Sequence, residues 1–158
     1  MTNEQYERQQ AAERWLYRMW DTDSELKELE GRRANIIASL SGIGKYDDKA
    51  IPGGCDSNPT ETKNLEYSRL SKEIEELQAK IARENARTIE VIYKIEDSIK
   101  DASKIRGMLV GRYVNHKSWK KIGEQYNYQE RQSYNYRSRC LETIYPFIPK
   151  GEILNEDR

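Results

Sequence analysis

Leu70, Ile74, Leu77 and Ile81 follow one another at spacings of four, three and four residues. That rhythm lays apolar side chains along one side of an α-helix and forms the seam of a coiled coil. Thr88, Val91, Ile92, Ile95, Ile99 and Ala102 continue the stripe after a polar gap at Glu84, Asn85 and Arg87. The spacing therefore predicts one long helix from about Thr62 to Asp101. A second stripe lies upstream. Between residues 3 and 40 there is no proline and only Gly31, while Leu16, Met19, Leu26, Leu29, Ile36, Ile37 and Leu40 recur at spacings of three, four and seven, flanked by Trp15 and Trp20. This predicts a first helix over 3–40. Gly31, costing roughly 1 kcal/mol against alanine inside a helix, is the expected place for a bend or break. Two pairings fit these stripes: a hairpin within the chain, or a coiled coil between chains, and both could hold together because one hairpin makes a marginal core.

Composition agrees with thin helical cores. Charged residues make up 34 % of the chain and hydrophobic ones 36 %, with a single Phe beside eleven Tyr and three Trp; mean hydropathy is −1.01. An all-α protein follows, divided into an N-terminal helix (1–40), a loop (41–60), a long coiled-coil-like helix (61–102), a compact C-terminal domain (103–148) and a tail (149–158). Gly42, Gly44, Pro52, Gly53, Gly54 and Pro59 crowd the loop. A connection of that length is uncommon inside a compact domain, so it is expected to be a mobile or functional arm with Cys55 exposed on it.

The net charge is zero, but it is unevenly spread. Residues 1–102 carry 16 Lys/Arg against 21 Asp/Glu, residues 103–139 carry 9 against 2, and residues 140–158 carry 2 against 4. The middle segment thus holds a balance of +7, from Lys104, Arg106, Arg112, Lys117, Lys120, Lys121, Arg131, Arg137 and Arg139 against Glu124 and Glu130. Such a concentration is an electrostatic footprint for phosphate.

Residues 113–145 sit inside that segment and read as a helix-turn-helix. Ser118 caps a short helix from Trp119 to about Tyr126. Asn127 occupies the turn, where a residue tolerant of positive φ is needed. A second helix starts near Glu130. Trp119, Ile122, Gly123 and Tyr126 are expected to face inward, with Gly123 small enough for the two helices to cross. Ser133, Tyr136, Cys140 and Leu141 repeat at helical spacing and face the same core. Ile105 to Asn115 is a buttressing helix, its Ile105, Met108, Leu109 and Tyr113 on one face, with Gly107 and Gly111 permitting close approach. Tyr128 is expected in the core or turn.

Glu130, Arg131, Gln132, Tyr134, Asn135, Arg137 and Ser138 are left facing outward. Arg pairs bidentately with guanine, and Asn or Gln with adenine, so Gln129, Arg131, Gln132 and Asn135 are the base-reading candidates. Glu130 can accept from cytosine or favour the helix N-terminus; Tyr134 is open between base contact and simple exposure. Lys117, Ser118, Lys120 and Lys121 lie where phosphates would pass, and phosphate contacts position a protein without reading sequence.

The block RGMLVGRYVNHKSWKKIGEQYNYQERQSYNYRSRCLETI resembles the C-terminus of ArpU-like phage transcriptional regulators, whose helix-turn-helix is similar to sigma-factor region four. Leu109, Arg112, Tyr113, Lys117, Ser118, Trp119, Ile122, Tyr128, Arg131 and Gln132 match the family pattern, and the loop and long charged helix resemble it too. The departures are Gly123 for the usual Ala, Asn127 for Gly, Gln129 for Ser and Ser133 for Val. Gln129 is a poorer N-cap than Ser, and Ser133 shrinks a small core. The resemblance implies control of late phage genes.

Cys55, Cys140 and the single His116 offer no zinc-ligand spacing, and no cofactor is expected. No apolar run reaches membrane-spanning length, and the first residues lack a signal-peptide pattern, so a cytoplasmic, reducing setting without membrane attachment is expected. No catalytic constellation is present, and the expectation is a non-enzyme. The expected partner is double-stranded DNA. The acidic N-terminal hairpin would form a homodimer or contact RNA polymerase. Two rivals remain open: a phage packaging protein such as a small terminase subunit, and a coiled-coil scaffold that binds no DNA.

Overall fold

The computed structural model of the protein describes residues 1–44 and 59–153, and among these every regular element is helical. In chain order they are α1 (Asn3–Leu16), α2 (Trp20–Gly44), α3 (Pro59–Ile92), α4 (Ala102–Leu109), a π-helical turn (Val110–Val114), α5 (Trp119–Gln125), α6 (Glu130–Ile144), a 3-10 turn (Tyr145–Phe147) and α7 (Lys150–Ile153). The chain falls into two compact units. One combines Met1–Met19 with the chain from Arg83 onward, and the other is Trp20–Ala82. The expected Cys55 and most of the 41–60 loop lie outside the described residues, as does the end of the tail.

The first helix expected over 3–40 is in fact two. Thr2 opens α1 with a capping box: its hydroxyl accepts from the Gln5 amide at 3.2 Å, and the Gln5 side chain accepts from the Thr2 amide at 3.0 Å. The chain leaves the helix at Tyr17–Met19, not at Gly31. Arg18 explains how that break is tolerated. Its guanidinium donates to the Trp15 carbonyl at 3.1 Å, beside the Arg18 backbone amide that donates to the same oxygen at 3.2 Å, and lies 3.8 Å from the centre of the Trp15 ring. It also donates to the Glu84 carboxylate at 3.2 Å and the Glu84 carbonyl at 3.0 Å. Gly31 stays helical within α2, exposed and with open space where a Cβ would stand.

The break assigns one apolar stripe to two cores. In the unit of residues 20–82, Leu26, Leu29 and Ile36 of α2 meet Leu70 and Ile74 of α3, with Leu40, Tyr67, Leu77 and Ile81 half-buried around them. The hairpin pairing is thus formed within the chain. Helix α3 starts earlier and ends earlier than the stripe suggests, opening on Pro59, whose missing N–H costs nothing at a helix start. From Tyr93 to Asp101 the chain runs in turns, and yet Ile95 is 1 % exposed and Ile99 half-buried, so the apolar spacing outlasts the helix. Arg106 fastens those turns by donating to the Ile95 carbonyl at 2.6 Å and to Asp97 at 2.5 Å.

The other unit has the larger core, where Ala12, Trp15 and Leu16 of α1 join Val91, Ile92, Ile105, Leu109, Tyr113, Ile122, Leu141 and Ile144. Its polar hinge is Glu13. The Glu13 carboxylate accepts from Arg137 of α6 at 3.0 and 2.5 Å and from the Tyr113 hydroxyl at 2.7 Å. Glu13 and Arg137 side chains are only 14 % and 28 % exposed, so this bidentate pair is largely shielded from water. Truncating one partner of a desolvated pair strands the other. Glu13→Ala is expected to lower stability by about 3 kcal/mol, read as a shift of the urea midpoint with unchanged slope. Gly31→Ala should instead raise the stability of its unit by about 0.5–1 kcal/mol, because the added methyl meets nothing and the helix loses a flexible residue.

Candidate nucleic-acid interface

The buttress comes first. Helix α4 and the π-helical turn after it bury Ile105, Met108, Leu109 and Tyr113 on one face, the face expected from their spacing. The π turn shifts the backbone register: the Asn115 amide donates to the Val110 carbonyl at 3.0 Å and the Lys117 amide to the Gly111 carbonyl at 2.9 Å. Gly107 is the tight approach, since a Cβ there would stand 2.7 Å from the Tyr126 hydroxyl, whereas one at Gly111 would make ordinary contacts at 3.8 Å.

Helix α5 begins as expected, with the Ser118 hydroxyl accepting from the Lys121 amide at 3.2 Å. It ends in a Schellman motif. The Tyr128 amide donates to the Gly123 carbonyl at 2.7 Å and the Asn127 amide to the Glu124 carbonyl at 3.2 Å. Asn127 supplies the left-handed residue this closure needs, at φ 60°. Helix α6 then starts at Glu130. Its first turn is secured by the Gln132 side chain, whose oxygen accepts from the Gln129 amide at 3.2 Å. This is how a Gln at the cap position is accommodated: the reciprocal partner three residues on does the work.

The two helices cross at Gly123 and Ser133. A Cβ on Gly123 would lie 2.1 Å from the Ser133 hydroxyl oxygen and 3.2 Å from the Tyr128 carbonyl. Ser133 is 1 % exposed and its hydroxyl faces the Gln129 carbonyl at 3.4 Å. The two small residues are therefore one crossing point. Behind the turn the rings of Tyr128 and Tyr136 stack with centroids 5.0 Å apart, and Tyr126 stacks on Tyr128 at 6.2 Å. Lys104 of α4 donates to the Tyr128 hydroxyl at 2.5 Å and lies 5.2 Å from that ring's centre. That bond lowers the Tyr128 phenol and raises the Lys104 ammonium. Nothing in the spacing of Lys104, Tyr128 and Tyr136 announces this stack; it exists because the buttress and the turn are brought together.

Lys117, Ser118, Lys120 and Lys121 are all exposed, at and before the start of α5. Gln129, Glu130, Arg131, Gln132, Tyr134 and Asn135 are exposed on the first half of α6, and Tyr134 is 51 % accessible. Arg137 departs from expectation. It does not face outward but turns inward to Glu13, and Ser138 beside it is half-buried. The cause is α1, which packs on α6 from a part of the chain that the helical periodicity of 103–148 does not reveal; Arg8 and Gln9 of α1 also meet Glu142.

The same packing corrects the charge reading. Arg106 pairs with Asp97, Arg137 with Glu13 and Arg139 with Asp101. Arg112 donates to the Lys117 carbonyl at 3.1 Å and the Tyr17 hydroxyl at 2.8 Å. Much of the local positive excess therefore neutralises acids of the preceding segments. Among the described residues, Lys117, Lys120, Lys121 and Arg131 are exposed and form no ion pair.

Among the described residues no helix is long and apolar enough to cross a membrane, and no group of three or more His, Cys, Asp or Glu is placed to hold a metal ion. No family model, curated protein or solved structure matches the chain.

Three outcomes follow from this packing. Gly123→Val should force the helices apart and cost about 1–3 kcal/mol in chemical unfolding. Burial pushes the Cys140 thiol from 9.0 to about 12, and burial together with the Glu13 bond raises the Tyr113 phenol. Both groups hold protons in the fold that the unfolded chain gives up at lower pH. Stability is then full below about pH 9 and falls as pH rises towards 12. In a Cys55→Ser background, iodoacetamide at pH 8 should leave Cys140 unmodified until urea unfolds the chain; rapid native labelling would contradict the buried thiol.

Proposed function

We propose that this protein is a sequence-specific double-stranded DNA-binding regulator of transcription, of the ArpU-like type that acts on phage or prophage genes. One observation carries the reading. The α5–turn–α6 unit has a glycine–serine crossing, a left-handed asparagine closing the first helix, and, at the start of each helix, exposed cations that form no ion pair among the described residues. In a helix-turn-helix the second helix enters the major groove by its N-terminal residues while the first crosses the backbone. Lys117, Lys120 and Lys121 would then capture phosphates, and the first turns of α6 would meet base edges. Arg137 is withdrawn from that role and belongs to the fold. The hairpin of residues 20–82 would serve dimerisation or contact with RNA polymerase.

The test is binding to DNA selected from a random pool, followed across a salt series. The parent should bind a defined site. Lys120→Ala with Lys121→Ala should weaken binding on every sequence and flatten the log–log salt slope by about 2. Arg131→Ala should cost about 1–3 kcal/mol of affinity without altering stability. A dimer would protect half-sites about 10 bp apart or a multiple of that. Absence of DNA binding by the parent at moderate salt would leave a coiled-coil scaffold, and a large ring by mass would favour a packaging subunit.

A further inference from the structure

Resting on that DNA-binding reading, we infer which bases the protein selects: a guanine read by Arg131 and an adenine read by Asn135, about two base-pair steps apart, with Gln132 taking no part in selection. Six exposed side chains lead α6, but they are not equally free. The Gln132 side-chain oxygen accepts from the Gln129 backbone amide at 3.2 Å, so the acceptor half of the amide is occupied. An amide pairs with adenine only by offering donor and acceptor together. Gln132 can read a base only by releasing the first turn of its own helix, and losing an N-terminal cap costs about 1 kcal/mol. Glu130 sits in the first turn, where its charge complements the helix dipole.

Further along, Arg137 is held by Glu13, and Arg139 by Asp101 at 2.9 Å and the Lys100 carbonyl at 2.8 Å. Arg131 and Asn135 are exposed and neither makes a hydrogen bond through its side chain among the described residues. Four residues apart, they stand on one face, separated by about 6 Å of helix rise. Stacked bases advance about 3.4 Å, so that rise spans about two steps. Guanidinium and carboxamide each offer the paired geometry that guanine and adenine present in the major groove.

Sites are selected from random DNA with the full-length parent, Arg131→Lys, Asn135→Ala and Gln132→Ala, each checked for an unchanged urea midpoint or corrected for its shift. The parent should select a G and an A two positions apart. Arg131→Lys keeps the charge but loses the fork. It should lower discrimination at the guanine by about tenfold or more while preserving the salt slope. Asn135→Ala should relax the adenine alone. Gln132→Ala should leave the selected sequence unchanged. If Gln132→Ala relaxes a base position, or if Arg131→Lys and Asn135→Ala weaken all sequences alike, the assignment of readers is wrong although the protein binds DNA. If the parent selects no sequence at all, the regulator reading itself fails.

Discussion

The carboxylate of Glu13 is the point at which the C-terminal unit is tied together. It joins α1 to α6 through Arg137 and to the π-helical turn through Tyr113, partners 124 and 100 residues away in sequence. A shielded carboxylate is costly unless its charge is answered and its lone pairs are filled. Here a two-pronged guanidinium and a phenol do both. The apolar contacts of Trp15, Leu16 and Ala12 follow from that anchoring, since they reach the core only when α1 lies along α6. The orientation of the outer face of α6 depends on the same contacts, because the helix has its inner face committed to α1, α4 and α5.

Local features were legible in the sequence, and long-range ones were not. Ser118 as cap, Asn127 as the left-handed turn residue, Gly123 as the crossing and Ile105, Met108, Leu109 and Tyr113 as the inward face all follow from chemistry acting within a few residues. The break after Leu16 was not legible. Its stripe continues in phase from α1 into α2, and periodicity cannot say that consecutive apolar residues serve different cores. The end of α3 was missed for a related reason, as Ile95 and Ile99 stay on rhythm after the helix has stopped. Arg137 shows the limit for a site residue. On a helical wheel its outward placement is reasonable, and only a glutamate from the other end of the chain turns it inward.

The charge distribution has the same moral in electrostatic terms. A balance of +7 over a short segment is a property of composition. The field near the surface depends on which of those cations are already answered. Asp97, Asp101 and Glu13 answer Arg106, Arg139 and Arg137, leaving the lysines around Ser118 and Arg131 to act outward. Pairing thus does more than lower the total. It moves the remaining positive charge to the starts of two helices, where the backbone N–H groups already favour anions.

The place of α1 in this unit also bears on how the protein is made. Residues 3–16 are synthesised well before α6, which is not complete until Ile144 has been added. At translation speeds of about 5–20 residues per second, α1 waits roughly 6–25 s for its partner. During that interval Trp15 and Leu16 lack the part of their core that Cys140, Leu141 and Ile144 supply, while α2 and α3 can already close on each other. Helix α6 closes a unit whose α1 was made more than a hundred residues earlier, so assembly of that unit is deferred until Ile144 has been added. Contacts spanning so much of the chain also slow the step itself, because a long loop must close before any of them forms.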